Sequence, residues 1–100
     1  MIFDVKEQDG GMLALVSGRL DTPAAVKGQE EIVPLLENAN KEITLDCKDL
    51  EYISSSGLRL FLTIRKEASA KGGKVIIEHI NDEIKKVFMM TGFYNLFDIR

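Results

Sequence analysis

Residues 42–58 read EITLDCKDLEYISSSGL and change their periodicity part-way along. From Glu42 to Cys47, apolar and polar residues alternate, which is typical of a β-strand with one buried face. After a predicted loop over residues 48–53, three serines open a run to residue 70 in which apolar residues recur at helical spacing. The predicted helix starts at Ser54 or Ser55. Together with the strand and the loop before it, this helix indicates one unit of an α/β domain.

The residues before this unit predict a β-hairpin. Ile2 and Val5 mark a first strand and residues 12–17 mark a second. The Asp9-Gly10-Gly11 sequence between them favours a tight turn, because these residue types tolerate the backbone of two-residue hairpin turns. The domain therefore begins with an antiparallel strand pair.

A helix is predicted between the hairpin and residue 42. A loop over residues 18–23 leads into a helix over residues 23–38, for which Thr22 is the expected N-cap. Pro34 removes one backbone hydrogen bond, so we expect a kink there.

The C-terminal third predicts two more strands and one helix. The Lys71-Gly72-Gly73 sequence indicates a left-handed helix cap rather than a phosphate-binding loop, and Lys74–Glu78 is rich in β-branched residues. Residues 81–91 predict a helix and residues 96–99 a last short strand. The order β-β-α-β-α-β-α-β predicts an α/β fold with a mixed sheet and helices packed on it, as a single domain over residues 1–100.

Composition excludes several classes of protein. The chain has 100 residues, 45% of them hydrophobic and 29% charged, with a net charge of −3, as in an ordinary globular domain. No apolar run approaches the ~20 residues of a spanning helix, and no secretory signal is visible, so we expect no membrane association. The single cluster of basic residues is short and interleaved with acidic ones, which disfavours a nucleic-acid-binding surface.

Cysteine and histidine usage limits the chemistry further. A lone cysteine excludes an internal disulfide and suits a reducing cytoplasm. One Cys and one His are too few for a closed Cys/His zinc site, so we expect no metal and no cofactor. Ile53 stands where a hydrolase elbow around Ser55 would need glycine, and His79 at a strand end is the only histidine. These features disfavour an enzyme.

The three serines of residues 54–56 can be told apart by helical geometry. One serine suffices as an N-cap, and Ser54 is the expected one, so the other two could simply occupy the first turn. At about 100° per residue, Ser56 falls on a flank and Ser55 opposite the core stripe. That predicted core stripe consists of Gly57, Leu60, Phe61, Ile64 and Ala68, and the face that Ser55 shares carries Arg59, Leu62 and Lys66.

An exposed serine at this place suits phosphorylation. The free N–H groups and positive end of a helix favour an anion, and Arg59 lies four residues further on. A phosphate would add about −1.5 to −2 charges beside the apolar Leu62, which would repel a partner that accepts neutral serine. Asp21, on a loop at the same predicted rim of the sheet, could lie beside Ser55 or could simply cap the first helix.

Three stretches in order carry a family resemblance. They are Gly18-Arg19-Leu20-Asp21, the strand–loop–helix segment that ends in Ser54-Ser55-Ser56-Gly57-Leu58, and VFMMTGF over residues 87–93. With these stretches the whole chain resembles the STAS domain of bacterial anti-sigma-factor antagonists.

The resemblance implies a partner-switching function. In that family an anti-sigma factor that is also a serine kinase binds the unphosphorylated antagonist and releases the phosphorylated one, and a PP2C-type phosphatase restores it. The resemblance makes Ser55 the phosphoacceptor, with Asp21, Ser54, Ser56 and Gly57 as its neighbours. Thr22, Arg59, Leu62 and Lys66 are the expected partner-binding residues.

One departure keeps other functions open. Ser54 stands where the family usually has aspartate, so a carboxylate is missing beside the expected acceptor. A STAS module that binds its partner permanently, without phosphorylation, is therefore an alternative. A nucleotide-binding STAS domain is another, although the chain has no Gly-x-x-x-x-Gly-Lys-Ser/Thr motif.

Overall fold

The computed structural model describes residues 2–100 and consists of one five-stranded sheet with helices. The strands are β1 (Phe3–Gln8), β2 (Gly11–Leu20), β3 (Glu42–Ile53), β4 (Lys74–Glu78) and β5 (Asp98–Ile99). The helices are α1 (Thr22–Glu31), α2 (Val33–Glu37), α3 (Ser55–Lys71) and α4 (Asp82–Thr91), with a 3₁₀ turn at Phe93–Leu96. Over the described residues, no helix is both long and apolar enough to cross a membrane.

The sheet has the mixed topology expected from the sequence. Its strand order is β1-β2-β3-β4-β5, with β1 and β2 antiparallel and the remaining neighbours parallel. Gln8 pairs with Gly11, so the hairpin turn contains only Asp9 and Gly10, whose φ angles are 52° and 78°. Both residues are thus left-handed, as a type I′ hairpin turn requires. The predicted mixed α/β fold is confirmed.

The core lies between one face of the sheet and the helices. On β3, Ile43, Leu45 and Cys47 alternate with half-buried residues, and all five members of the predicted α3 core stripe are buried. Phe61 lies at the centre, with its ring centroid 6.2 Å from that of Phe3, 6.0 Å from Phe88 and 6.4 Å from Phe97. These edge-to-face contacts join the hairpin, α3, α4 and the C-terminal segment.

The predicted helix over residues 23–38 is in fact two helices. α1 ends at Glu31 and α2 begins at Val33, with Ile32 between them. Pro34 lies in the first turn of α2, where a missing N–H is tolerated. Proline therefore starts a second helix here instead of kinking the first.

Three other predicted boundaries were wrong. β2 continues to Leu20 and β3 to Ile53, so half of the predicted loop over residues 18–23 and all of the predicted loop over residues 48–53 are strand. The predicted last strand, residues 96–99, shortens to β5, because residues up to Leu96 form the 3₁₀ turn. β4 lies where the sequence predicted it. The helix α4, with Asn81 as its N-cap, does so as well.

Cys47 is a core residue on the buried face that the alternation over residues 42–47 predicts, and its thiol stays protonated at neutral pH. It is fully buried, and this burial raises the pKa of the Cys47 thiol to about 12, with a further contribution from the Asp46 carboxylate. A free thiol of this kind packs as a small apolar group.

This raised pKa predicts a specific pH dependence of stability. Between pH 9.0, the thiol's ordinary value, and about 12, the unfolded chain loses the Cys47 proton while the folded chain keeps it. The free energy of unfolding should therefore fall with rising pH across that range. Urea titrations of the native protein and of Cys47→Ala measure it. The variant should show a shallower decline, and equal slopes would contradict the assignment.

Candidate regulatory site at the start of helix α3

Two strands end side by side and each leads directly into a helix. Leu20, the last residue of β2, is the register partner of Ile53, the last residue of β3. The Leu20 carbonyl oxygen accepts a hydrogen bond from the Ser54 backbone N–H at 2.9 Å and one from the Ser54 hydroxyl at 3.0 Å. The starts of α1 and α3 are therefore held together at the carboxyl edge of the parallel strands, where α/β folds commonly place binding sites.

Ser54 is the N-cap of α3, as the sequence predicted. Its backbone is extended, and its hydroxyl oxygen accepts a hydrogen bond from the Gly57 N–H at 3.2 Å. Because the same hydroxyl donates to Leu20, both its donor and an acceptor position are occupied. The Ser54 side chain thus has a structural task that serine can perform in place of aspartate.

Asp21, and not Thr22, caps α1. The Asp21 carboxylate accepts a hydrogen bond from the Ala24 N–H at 3.0 Å, and its extended backbone marks the boundary. Thr22 is already the first helical residue, so its expected capping role was wrong. Of the two roles considered for Asp21, capping is the one that its contacts show. Its position next to Leu20 also places it one residue from the strand end that binds Ser54.

A contact between Thr22 and Ser56 links the two helix starts. Their hydroxyl oxygens lie 3.5 Å apart, and Ser56 is half-buried. The Ser56 side chain therefore faces the start of α1 and lies on the flank of α3 that the helical geometry predicted. Thr22 itself is exposed.

Ser55 differs from both neighbouring serines. It is the first residue of α3 and is exposed. As far as residues 2–100 are concerned, the side-chain hydrogen bonds of the serine cluster involve only Ser54 and Ser56. The Ser55 hydroxyl is thus free at a helix N-terminus whose first turn contains no acidic residue. Chemically, this arrangement can receive an anionic group without disturbing the cap.

The surface beyond Ser55 is cationic and polar, with less apolar exposure than predicted. Arg59 and Lys66 are exposed, as expected. Leu62, which was expected to be exposed, is half-buried. Leu58, which the predicted core stripe omitted, is buried at 4% exposure. Leu62 lies one turn after Leu58, so the core contact is wider on this side of α3 than a single stripe.

Gly57 allows α3 to approach the sheet closely. A Cβ atom at this position would lie 2.7 Å from Cγ of Leu20 and 2.9 Å from Cγ1 of Ile53. These are the two strand ends that precede the helices. Glycine here therefore sets the distance between α3 and the edge that carries the site.

Sequence reasoning missed two exposed features near this edge. Arg19 and Tyr52 are register partners, and the Arg19 guanidinium lies 4.4 Å from the centroid of the Tyr52 ring. On α1, Val26 is 63% exposed, one turn after Thr22. The sequence did carry a signal for the exposed Val26, because this valine occupies a position on the polar face of the predicted helix. The Arg19–Tyr52 pair had no such signal, because it depends on strands longer than those predicted.

Known proteins resemble this chain both in sequence and in fold. The STAS domain family model matches residues 3–100. The chain belongs to the STAS domain family. Across 96 residues this STAS domain is 28% identical to the anti-sigma-B factor antagonist of Bacillus subtilis (strain 168), covering 96% of this chain and 87% of the relative.

Two solved structures show the same fold. A Thermotoga maritima protein superposes with a TM-score of 0.86 at 24% identity, covering 97% of this STAS domain and 84% of that chain. The Bacillus cell fate determinant SpoIIAA, solved in its phosphorylated form, has a TM-score of 0.73 at 21% identity, with 98% and 90% covered. The match of the family model over residues 3–100 confirms the family resemblance inferred from the sequence.

Proposed function

We propose that this STAS domain is an anti-sigma factor antagonist that exchanges partners according to the phosphorylation of Ser55. With a free Ser55 hydroxyl it binds an anti-sigma factor that is also a serine kinase, and this releases the sigma factor. Phosphorylation ends the binding, and a PP2C-type phosphatase restores it. The domain itself catalyses nothing and acts in the cytoplasm. The name of the Bacillus subtilis relative supports the antagonist role.

The observation that carries the proposal is the difference among the three serines. Ser54 is bound to Leu20 and Gly57, and Ser56 contacts Thr22, whereas Ser55 is exposed with a free hydroxyl. A kinase must reach the acceptor oxygen, so Ser55 is the serine that this surface offers. A structural neighbour, SpoIIAA, also has a phosphorylated form.

The modification changes charge without unfolding the helix. A bond forms between Ser55 Oγ and the γ-phosphorus of ATP, the bond to ADP breaks, and the hydroxyl proton leaves to the kinase's base. The product carries about −1.5 to −2 charges at the positive end of α3, where the helix dipole favours an anion. Because Ser54 holds the cap, the start of α3 stays in place.

The partner would contact the exposed surface around this serine. We assign Thr22, Arg59, Leu62 and Lys66 to it, together with the exposed Val26 on α1. A dianion in the middle of this surface would displace any partner group that approaches a neutral hydroxyl. The Asp21 carboxylate borders the surface as the cap of α1.

The test is to locate the phosphate. The protein is incubated with ATP and the soluble extract of the source cell, and its peptides are mapped by mass spectrometry. We expect one phosphate on Ser55, which Ser55→Ala abolishes and the matched control Ser56→Ala retains. A phosphate on Ser54 or Ser56 would contradict the acceptor assignment. No phosphate from an extract that labels other proteins would favour the permanently binding module.

A further inference from the structure

A cationic strip runs along the exposed face of α3. Arg59 and Lys66 are exposed, and the salt bridges within residues 2–100 leave both without a carboxylate partner. The first acidic residue of α3 is Glu67, which is paired with Lys71 at 3.3 Å. A strip of this kind on a domain of net charge −3 fits an acidic partner surface.

Arg59 is placed to reach a group on Ser55, and Lys66 is not. Residues four apart on a helix are neighbours on its surface, and helical side chains lean towards the N-terminus. Ser55 and Arg59 are both exposed on α3, so an Arg59 side chain that extends towards the helix N-terminus can reach a group on Ser55. Lys66 is eleven positions from Ser55, which corresponds to about 16 Å along the helix axis.

We propose that Arg59 senses the modification of Ser55: it pairs with a carboxylate of an acidic partner when Ser55 is free, and with the phosphate when Ser55 is phosphorylated. This inference rests on the proposed function. A guanidinium binds phosphate through two parallel N–H bonds, and a charged pair of this kind is stronger than a neutral hydrogen bond. Phosphorylation would thus withdraw Arg59 from the partner's carboxylate as well as add a negative charge at Ser55.

The first experiment measures the phosphate itself and needs neither kinase nor partner. Phosphoserine is incorporated at position 55 during translation, and its ³¹P chemical shift is titrated with pH. In Arg59→Gln the titration midpoint should rise by about 0.3 pH unit or more, because a neighbouring cation favours the dianion. Lys66→Gln, which removes the same charge on the same face, should leave it unchanged. Equal midpoints in all three proteins would overturn the pairing, as would equal shifts in both variants.

The second experiment measures binding to the kinase that labels Ser55, purified from the same extract by following that labelling activity. Arg59→Gln should weaken the binding of the unphosphorylated domain about tenfold, because a charge pair with the partner is lost. The matched control is Lys86→Gln, at an exposed position on α4. Unchanged affinity in Arg59→Gln would overturn the acidic-partner half of the inference.

The two failures are distinguishable. If the kinase labels Ser55 but the ³¹P midpoint ignores Arg59, the inference fails while the proposed function stands. If the midpoint shifts but no kinase labels Ser55, the proposed function fails, and with it the regulatory role of the pairing.

Discussion

Phe61→Ala should lower the free energy of unfolding by about 3–5 kcal/mol, the usual cost of truncating a buried phenylalanine. The Phe61 ring is fully buried and contacts the rings of Phe3, Phe88 and Phe97 edge to face. Truncation removes those contacts and leaves a cavity between α3 and the three segments that carry the partner rings. Urea denaturation followed by circular dichroism measures the loss.

Phe93→Ala is the matched control for this prediction. Phe93 is also a phenylalanine packed against the core, but it is half-buried, and no ring pair within residues 2–100 involves it. We expect less than half the loss seen for Phe61→Ala. Equal losses in the two variants would show that the aromatic cluster has no special weight in the core.

Phe61 and Ser54 illustrate what the sequence could predict. The position of Phe61 in the core follows from the helical repeat alone, because a helix on one face of a sheet buries one stripe. The capping role of Ser54 is local as well, since it depends on residues within one turn. The exposure of Ser55 then followed from the angle between it and the core stripe. These features need no knowledge of distant contacts.

The ends of β2 and β3 show why the rest was out of reach. Register shifts lie between Leu15 and Ser17 and between Gly18 and Arg19, so the alternation of buried residues breaks before the strands end. The sequence therefore suggested loops there. The choice between Asp21 and Thr22 as cap depends on where β2 stops, because both residue types cap well. The half-burial of Leu62 likewise depends on neighbours that periodicity does not specify.

Gly57→Ala should lower the free energy of unfolding by about 1–3 kcal/mol, although alanine favours helices more than glycine does. The added methyl would lie 2.7 Å from Cγ of Leu20 and 2.9 Å from Cγ1 of Ile53. Both atoms are bonded directly to the Cβ of a buried side chain and cannot rotate far out of the way. The helix α3 would therefore have to move away from the strand ends. That movement would strain the hydrogen bonds that join Ser54 to Leu20.

Gly28→Ala separates this crowding from the general effect of alanine in a helix. The nearest atom to a Cβ at Gly28 is Cδ1 of Leu60 at 2.8 Å, the far end of a flexible side chain. Rotation of Leu60 relieves this contact, whereas Cε1 of the buried Phe3 ring also lies 3.2 Å away, so Gly28→Ala should cost some stability but less than Gly57→Ala. Amide hydrogen exchange should be faster at the start of α3 in Gly57→Ala only. If both variants were equally stable, the close approach at Gly57 would not be what positions the serine cluster.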